Sequence, residues 1–287
     1  MNSSKQSTTP KVLFVYDLEN EAVWKDGLAE AIKVLGKKLS LTKLNCRTPD
    51  TQVNLDRYDF ILGWGGFRSP ADNWITQYTR HQKGIRRGLC LGGYAFPPLK
   101  DSHYDVIFYE TPWSEEWLDN VLRESNYAAL PKLVHAFGTN TKIYNPADAP
   151  KIWDYLSVGA FAKWKRHKEI LTYEGNKFVI GEIQKDNLGE SLSIIGDLVA
   201  GKCGVSDMVE PETLANIYRA SDIVIVPADI LGGGERAVIE AFHCDKKVIV
   251  QIDNPKLQSL IRAPILDWDE YYYADQLEKG IRECLKY

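Results

Sequence analysis

The stretch Gly232-Gly233-Gly234-Glu235-Arg236 stands between an apolar run, residues 223–227, and a helix-period segment that reaches Phe242. A helix that starts directly after glycines exposes unpaired N–H groups and the positive end of its dipole. That combination is suited to holding a diphosphate. Lys165, in the run Lys163-Trp164-Lys165-Arg166, can add a point charge, and Arg166 or Arg236 a planar guanidinium fork. Glu240 lies about one and a half turns into the helix, within reach of the polar body of a nucleotide seated at its start. Each feature also has a plainer reading. Lys163, Lys165, Arg166 and Lys168 can form a solvated basic face, the glycines a flexible turn, Glu235 a helix-start charge and Glu240 an exposed carboxylate.

Such residues need a scaffold that brings separate loops together. Short apolar runs at 11–16, 39–45, 58–62, 87–91 and 106–109 read as strands, and they alternate with helix-period segments at 22–35, 72–83 and 114–124. A proline-rich connector follows over 131–150. A second series has strands at 153–158, 177–180, 223–227 and 247–251 and helices at 166–173, 211–219 and 235–242. A closing helix spans 273–285, with Leu277, Ile281, Cys284 and Leu285 on one face. This alternation predicts an α/β protein of two Rossmann-like domains facing across a cleft. The expected divisions are a disordered leader at 1–10, an N-terminal domain at 11–135, a C-terminal domain at 136–272 and a helix at 273–287 packing back toward the N-terminal domain.

At 287 residues with 44% apolar content, the chain is long enough for two cores. Its net charge of −4 disfavours nucleic acid as a partner, although a local basic patch remains compatible with it. The five cysteines show no Cys-x-x-Cys spacing and read as reduced thiols of a cytoplasmic protein. No apolar run reaches the roughly 18 residues a membrane span requires.

Four blocks resemble the retaining glycosyltransferases of family 4, over roughly residues 135–251. Ala136-Phe-Gly-Thr-Asn-Thr141 is similar to the inter-domain turn Asn-Gly-x-Asp-Thr, and Gly159 with the following segment to Arg166 is similar to the Gly-Arg-Phe-x-x-x-Lys loop. The helix from Glu212, Ser221-Asp222 and the strand to Pro227 resemble the family's Leu-x-x-x-Tyr-x-x-Ala-Asp-x-x-x-x-Pro block. Gly233 to Ala241 resembles the Gly-rich turn and second glutamate of the Glu-x7-Glu motif. Two positions depart from the pattern: Ala160 stands where the loop has arginine, and Gly232 where the motif has its first glutamate. Either departure points to altered donor handling or reduced activity.

The resemblance implies the GT-B fold and metal-independent, retaining transfer of a hexose-type sugar from a nucleotide sugar, a UDP- or GDP-sugar, to a sugar or other hydroxyl acceptor. The nucleotide sugar is a substrate, and no resident cofactor or metal is implied. Lys165 and Glu240 take the catalytic positions. Gly159, Arg166, Val209, Gly233, Gly234, Glu235 and Arg236 hold the donor, with the Val209 backbone near the base and Glu240 on the ribose hydroxyls.

In the N-terminal half, Asp17-Leu-Glu-Asn-Glu21, Trp64-Gly-Gly-Phe67 and Gly92-Gly-Tyr94 follow predicted strands, where open α/β sheets bind ligands. Acceptor contacts are expected there. Gly92-Gly93-Tyr94 stands where many family members have a histidine, and His103 and His135 read better as structural residues. Trp64, Phe67 and Tyr94 suit stacking or core packing equally.

Three rivals stay open. A glycosyltransferase acting on modified DNA bases would need a basic groove, to which Arg68, Arg80, Arg86, Arg87 and Lys100 could contribute. A sugar-nucleotide epimerase would need no acceptor, and a non-catalytic nucleotide-sugar binder would tolerate Ala160 and Gly232. A nicotinamide dehydrogenase is disfavoured, because no Gly-x-Gly-x-x-Gly follows the first strand.

Overall fold

β-Branched and aromatic runs flanked by capping residues and glycines divide this chain into parallel strands and covering helices. The computed structural model describes residues 9–19, 24–48, 53–82, 84–92, 98, 102–125, 127 and 129–286. The N-terminal half comprises β1 (Lys11–Tyr16), α1 (Gly27–Leu35), β2 (Ser40–Asn45), β3 (Phe60–Trp64), α2 (Pro70–Thr79), β4 (Arg86–Cys90), β5 (Val106–Tyr109), α3 (Pro112–Glu124) and β6 (Lys132–His135). The C-terminal half comprises β7 (Trp153–Val158), β8 (Lys177–Ile180), α4 (Leu188–Ala200), β9 (Gly204–Ser206), α5 (Pro211–Arg219), β10 (Ser221–Val226), α6 (Glu235–His243), β11 (Lys247–Val250) and α7 (Pro255–Leu260), and α8 (Glu270–Cys284) closes the chain.

The first sheet runs β2-β1-β3-β4-β5-β6 and the second β11-β10-β7-β8-β9, with every named pairing parallel. Parallel strands must be covered on both faces, and the central ones are accordingly apolar. Val12 to Tyr16, Phe60 to Leu62 and Val224 to Val226 are all buried.

Helix starts follow capping chemistry. The Asp26 side chain accepts from Ala29 N at the start of α1, and the burial of Leu28, Ile32 and Leu35 puts one face of that helix in the core. Ser69 caps α2, with Pro70 in its first turn, and Asp269 caps α8. α8 packs on α1, β5 and β6, which returns the chain end to the first half. Gly280 permits its close approach, since a Cβ there would lie 2.6 Å from the Phe108 ring.

Several elements differ from the sequence expectations. Helix α1 begins at Gly27, because Asp26 is its cap. β6 forms inside the proline-bounded stretch read as connector and extends the first sheet. Residues 166–173, expected as an α-helix, form a tighter 3-10 helix at His167–Thr172, entered through Arg166 in the left-handed region at φ 49°. Helices α4 and α7 and strand β9 went unread; α4 leaves Leu188, Leu192 and Val199 exposed, so its apolar residues mark no single buried stripe. Residues 1–8 of the leader expected at 1–10, and Asn20, Glu21, Gly93, Tyr94 and Lys100, lie outside the described residues.

Candidate functional site

Strand order determines where a crevice opens. In the second sheet the chain leaves β7 toward β8 and β10 toward β11, in opposite directions from neighbouring strands, so the loops after them separate. In the first sheet the same divergence occurs at β1 and β3. A cavity of about 590 Å³ joins these two places, lined from one side by Trp24 to Leu28, Trp64, Gly92 and Glu110 and from the other by the loops around Gly159 and Gly233.

The Gly233 turn and Lys165 meet inside it. Gly233 and Gly234 have φ of 62° and 118°, and Gly234 starts α6 without a side-chain cap. A Cβ placed on Gly233 would lie 3.5 Å from Lys165 Nζ, and one on Gly159 would lie 3.2 Å from Lys165 Cδ and Cε. The backbone N–H of Asp229 donates to Trp164 O at 2.9 Å, which ties the glycine turn to the lysine segment. From behind, the Asn254 side chain donates to Ala228 O and Asp229 O at 2.9 and 3.0 Å.

Beneath this surface His167 is buried and neutral, its pKa pushed down by burial to about 4. Its Nε2 faces the carbonyls of Ala160 and Gly159 at 3.0 and 3.2 Å, so Nε2 carries the proton. Nδ1 then accepts from Ser157 Oγ at 2.9 Å. The imidazole thus fixes the loop that follows β7.

Charge around the turn is layered. Glu235 and Lys256 are both buried and 2.6 Å apart, although neither Glu235 Oε1 nor Lys256 Nζ has a well-aligned hydrogen bond, so their contact is ionic. The Lys165 ammonium makes no hydrogen bond or ion pair among the described residues. Burial lowers its pKa; Glu235 opposes that, and Lys256 and Arg236 reinforce it. A cation in this condition is stabilised by an incoming anion.

Arg236 reaches across the cleft, with Nη1 2.9 Å from Asp26 Oδ2. Burial pulls its pKa down, and the combined attraction of Asp26, Glu240 and Glu110 outweighs that and raises it. Glu240 is buried beside it and accepts from Tyr218 OH at 3.2 Å. Burial lifts its carboxyl to about 7 against the opposing pull of Arg236 and the tyrosine hydroxyls of Tyr218 and Tyr144.

The cavity therefore gathers Gly159, Lys165, Val209, Gly233, Gly234, Glu235, Arg236 and Glu240. Arg166, expected among the donor-binding residues, is placed elsewhere: its left-handed backbone turns the guanidinium to Asp253, 2.7 Å away, and it does not line the cavity. At Gly232 a Cβ would lie 2.6 Å from Trp164 O, so the turn as built has no room for a glutamate there.

On the other wall Asp17 is paired with Arg47, Phe67 is core, His103 is exposed and His135 is half-buried against Tyr272 OH and Glu110 O; none of them lines the cavity. Trp64 does. Sequence reading missed Trp24, Lys25, Asp26 and Glu110. Starting the first helix at 22 concealed Asp26, whose position before Gly-Leu-Ala-Glu is an N-cap signal, while Glu110 follows a strand just as Trp64 does. Arg86 is paired with Asp105 and Arg87 donates to Thr79 O, both at the amino end of β4 and away from the cleft. No group of three His, Cys, Asp or Glu able to hold a metal ion occurs among the described residues.

No protein-family model matches the chain, and no curated protein matches it. Solved structures do. Anabaena HepE in complex with UDP-glucose superposes with a TM-score of 0.62 at 10% identity, covering 96% of this chain and 98% of that one. Sucrose-phosphate synthase from Thermosynechococcus elongatus gives 0.59 at 15% identity, covering 96% and 94%. A protein described as a putative UDP-N-acetylglucosamine 2-epimerase from Listeria monocytogenes gives 0.58 at 12% identity, covering 97% of both. The chain has the GT-B fold, with two parallel-stranded α/β halves and interleaved helices. Among the described residues no helix is long and apolar enough to cross a membrane.

Proposed function

We propose that this protein is a retaining glycosyltransferase that moves a hexose-type sugar from a nucleotide sugar, a UDP- or GDP-sugar, to a hydroxyl acceptor, without a metal. One observation carries the reading: the uncapped start of α6 and the Lys165 ammonium, unpaired among the described residues, converge on one point in the inter-domain cavity. Breaking the bond between sugar and diphosphate leaves charge on the departing phosphate. Lys165, Arg236 and the N–H groups after Gly233 are preorganised to meet that charge. Glu240, one and a half turns further along α6, sits where a ribose would follow and accepts from its hydroxyls. Val209 presents its backbone to the base. In this reading the chain holds its donor at the second half and the acceptor at the first; HepE, similar in fold, was solved in complex with UDP-glucose. Its unpaired thiols suit a reducing, cytoplasmic setting.

A second reading, a non-catalytic nucleotide-sugar binder, is favoured by Gly232, where no side chain fits. A thermal-shift panel of UDP-, GDP-, ADP- and TDP-sugars, followed by product analysis with and without added acceptors, separates the cases. Transfer to an added acceptor with retained anomeric configuration supports the proposal. An epimerised donor in the absence of acceptor identifies an epimerase, and binding without turnover identifies a binder. No stabilisation by any member of the panel overturns the donor site.

A further inference from the structure

The wall opposite the phosphate cradle has a chemistry of its own. Trp24 stacks on Tyr16 at 5.4 Å and on Trp64 at 5.4 Å, with interplanar angles of 28° and 22°. Tyr16 is buried in the core, so the column anchors Trp64 rigidly at the carboxyl edge of β3. Both tryptophans line the cavity. Beside them, among the described residues, nothing crowds Gly92: a Cβ there would lie 3.8 Å from Trp64 Nε1 and 3.8 Å from Glu110 Oε1. An N–H donor and a carboxylate thus flank one position beside the Trp64 indole.

Resting on the donor reading above, we infer that Trp64, Gly92 and Glu110 form the acceptor subsite, and that the acceptor is a neutral carbohydrate. A pyranose ring packs its C–H face on Trp64, while one hydroxyl accepts from Nε1–H and the next donates to Glu110. A planar phenol could stack on the indole, but its single hydroxyl reaches only one of the two polar groups. A sugar phosphate would set its charge against Glu110. Lys25, which lines the cavity, is already paired with Glu212 at 2.9 Å, and Arg236, beside Asp26, is engaged by the donor phosphate in this reading. Glu110 and Arg236 line the same cavity, so the subsite faces the helix start assigned to the donor.

Saturation-transfer NMR on the full chain, with and without UDP, tests this. The probes are the methyl glycosides of glucose, galactose, mannose and N-acetylglucosamine, with p-cresol and glucose 6-phosphate as contrasts. At least one neutral glycoside is expected to bind in preference to both contrasts. Trp64→Phe, which keeps a ring but loses the N–H, and Glu110→Gln are each expected to weaken it by about tenfold, the effect of losing one hydrogen bond at a desolvated site. Trp64→Ala should abolish the signal; if it fails to fold, the two conservative variants decide. UDP affinity should be unchanged in Trp64→Phe. Absence of glycoside binding, preference for either contrast, or wild-type affinity in both conservative variants overturns the inference. Loss of UDP binding in the wild type would instead overturn the donor reading, since the glycoside signal is also read without nucleotide.

Discussion

The two walls of the cleft are built from different materials. On the C-terminal wall, bare backbone and charge dominate: Gly233 and Gly234 in positive-φ conformations, Lys165 without an ion pair among the described residues, and Arg236 and Glu240 on one helix. On the N-terminal wall the cavity meets an aromatic column ending at Trp64, a capped helix start at Asp26 and Gly92, uncrowded among the described residues. A diphosphate carries concentrated charge and must be met by N–H groups and cations whatever the sugar. An acceptor is recognised by shape and by a few hydroxyls, so its wall needs rigid surface rather than charge. The support differs accordingly. Buried electrostatics, Lys256 against Glu235 and His167 against two carbonyls, stiffen the first wall, whereas ring stacking stiffens the second.

That contrast can be broken in graded steps. The largest effect is expected at the buried pair: Lys256→Met leaves Glu235 without its cation and should destabilise the protein by about 3–5 kcal/mol, read as a shift in the urea midpoint. A second change, Lys256→Met with Glu235→Gln, should restore most of the loss; if it does not, the pair is not what holds the turn.

Glu240 gives the next effect, through pH. Burial raises its pKa from 4.5 to about 7, so between those values the folded state binds a proton that the unfolded state has released. Stability from this group is full below about pH 4.5 and is lost as pH rises through 7. Glu240→Gln should flatten that slope and, above pH 7, raise stability by on the order of 3 kcal/mol. An unchanged stability profile from pH 4 to 8 would show that Glu240 is not buried uncompensated.

Lys165→Ala should weaken UDP binding by about tenfold to a hundredfold, the range for a charge-assisted contact, with little change in the unfolding midpoint. Unaltered affinity by titration calorimetry would remove Lys165 from the cradle. The smallest effect is expected at Lys25→Ala. Its ion pair with Glu212 crosses the cleft but is exposed, so UDP affinity and unfolding midpoint should both stay at wild-type values.

Much of the C-terminal wall was legible in the chain, and less of the other. Three glycines before a helix state their own backbone chemistry, and so does an apolar run such as Ile223 to Val226. Arg166 was not legible. Its neighbour Lys165 enters the cavity while the left-handed turn at Arg166 sends its guanidinium to Asp253, a choice made by loop geometry that no composition reveals. Asp26 was concealed by an early helix start, and helix α4 by apolar residues left exposed on its surface. β6 was concealed by the prolines that bound its stretch.

By itself the sequence determined the alternation of strands and helices, the division into two halves and the glycine-started helix, because hydrophobic period, capping and glycine freedom act over a few residues. Only the tertiary structure decided which loops would meet. Strand order placed β7 beside β10 and β1 beside β3, and their diverging loops brought Lys165 to Gly233, Arg236 to Asp26 and Trp64 to Glu110. Those encounters join residues dozens to hundreds of positions apart. They depend on how two sheets pack and how the halves close on one another, which local preference does not encode.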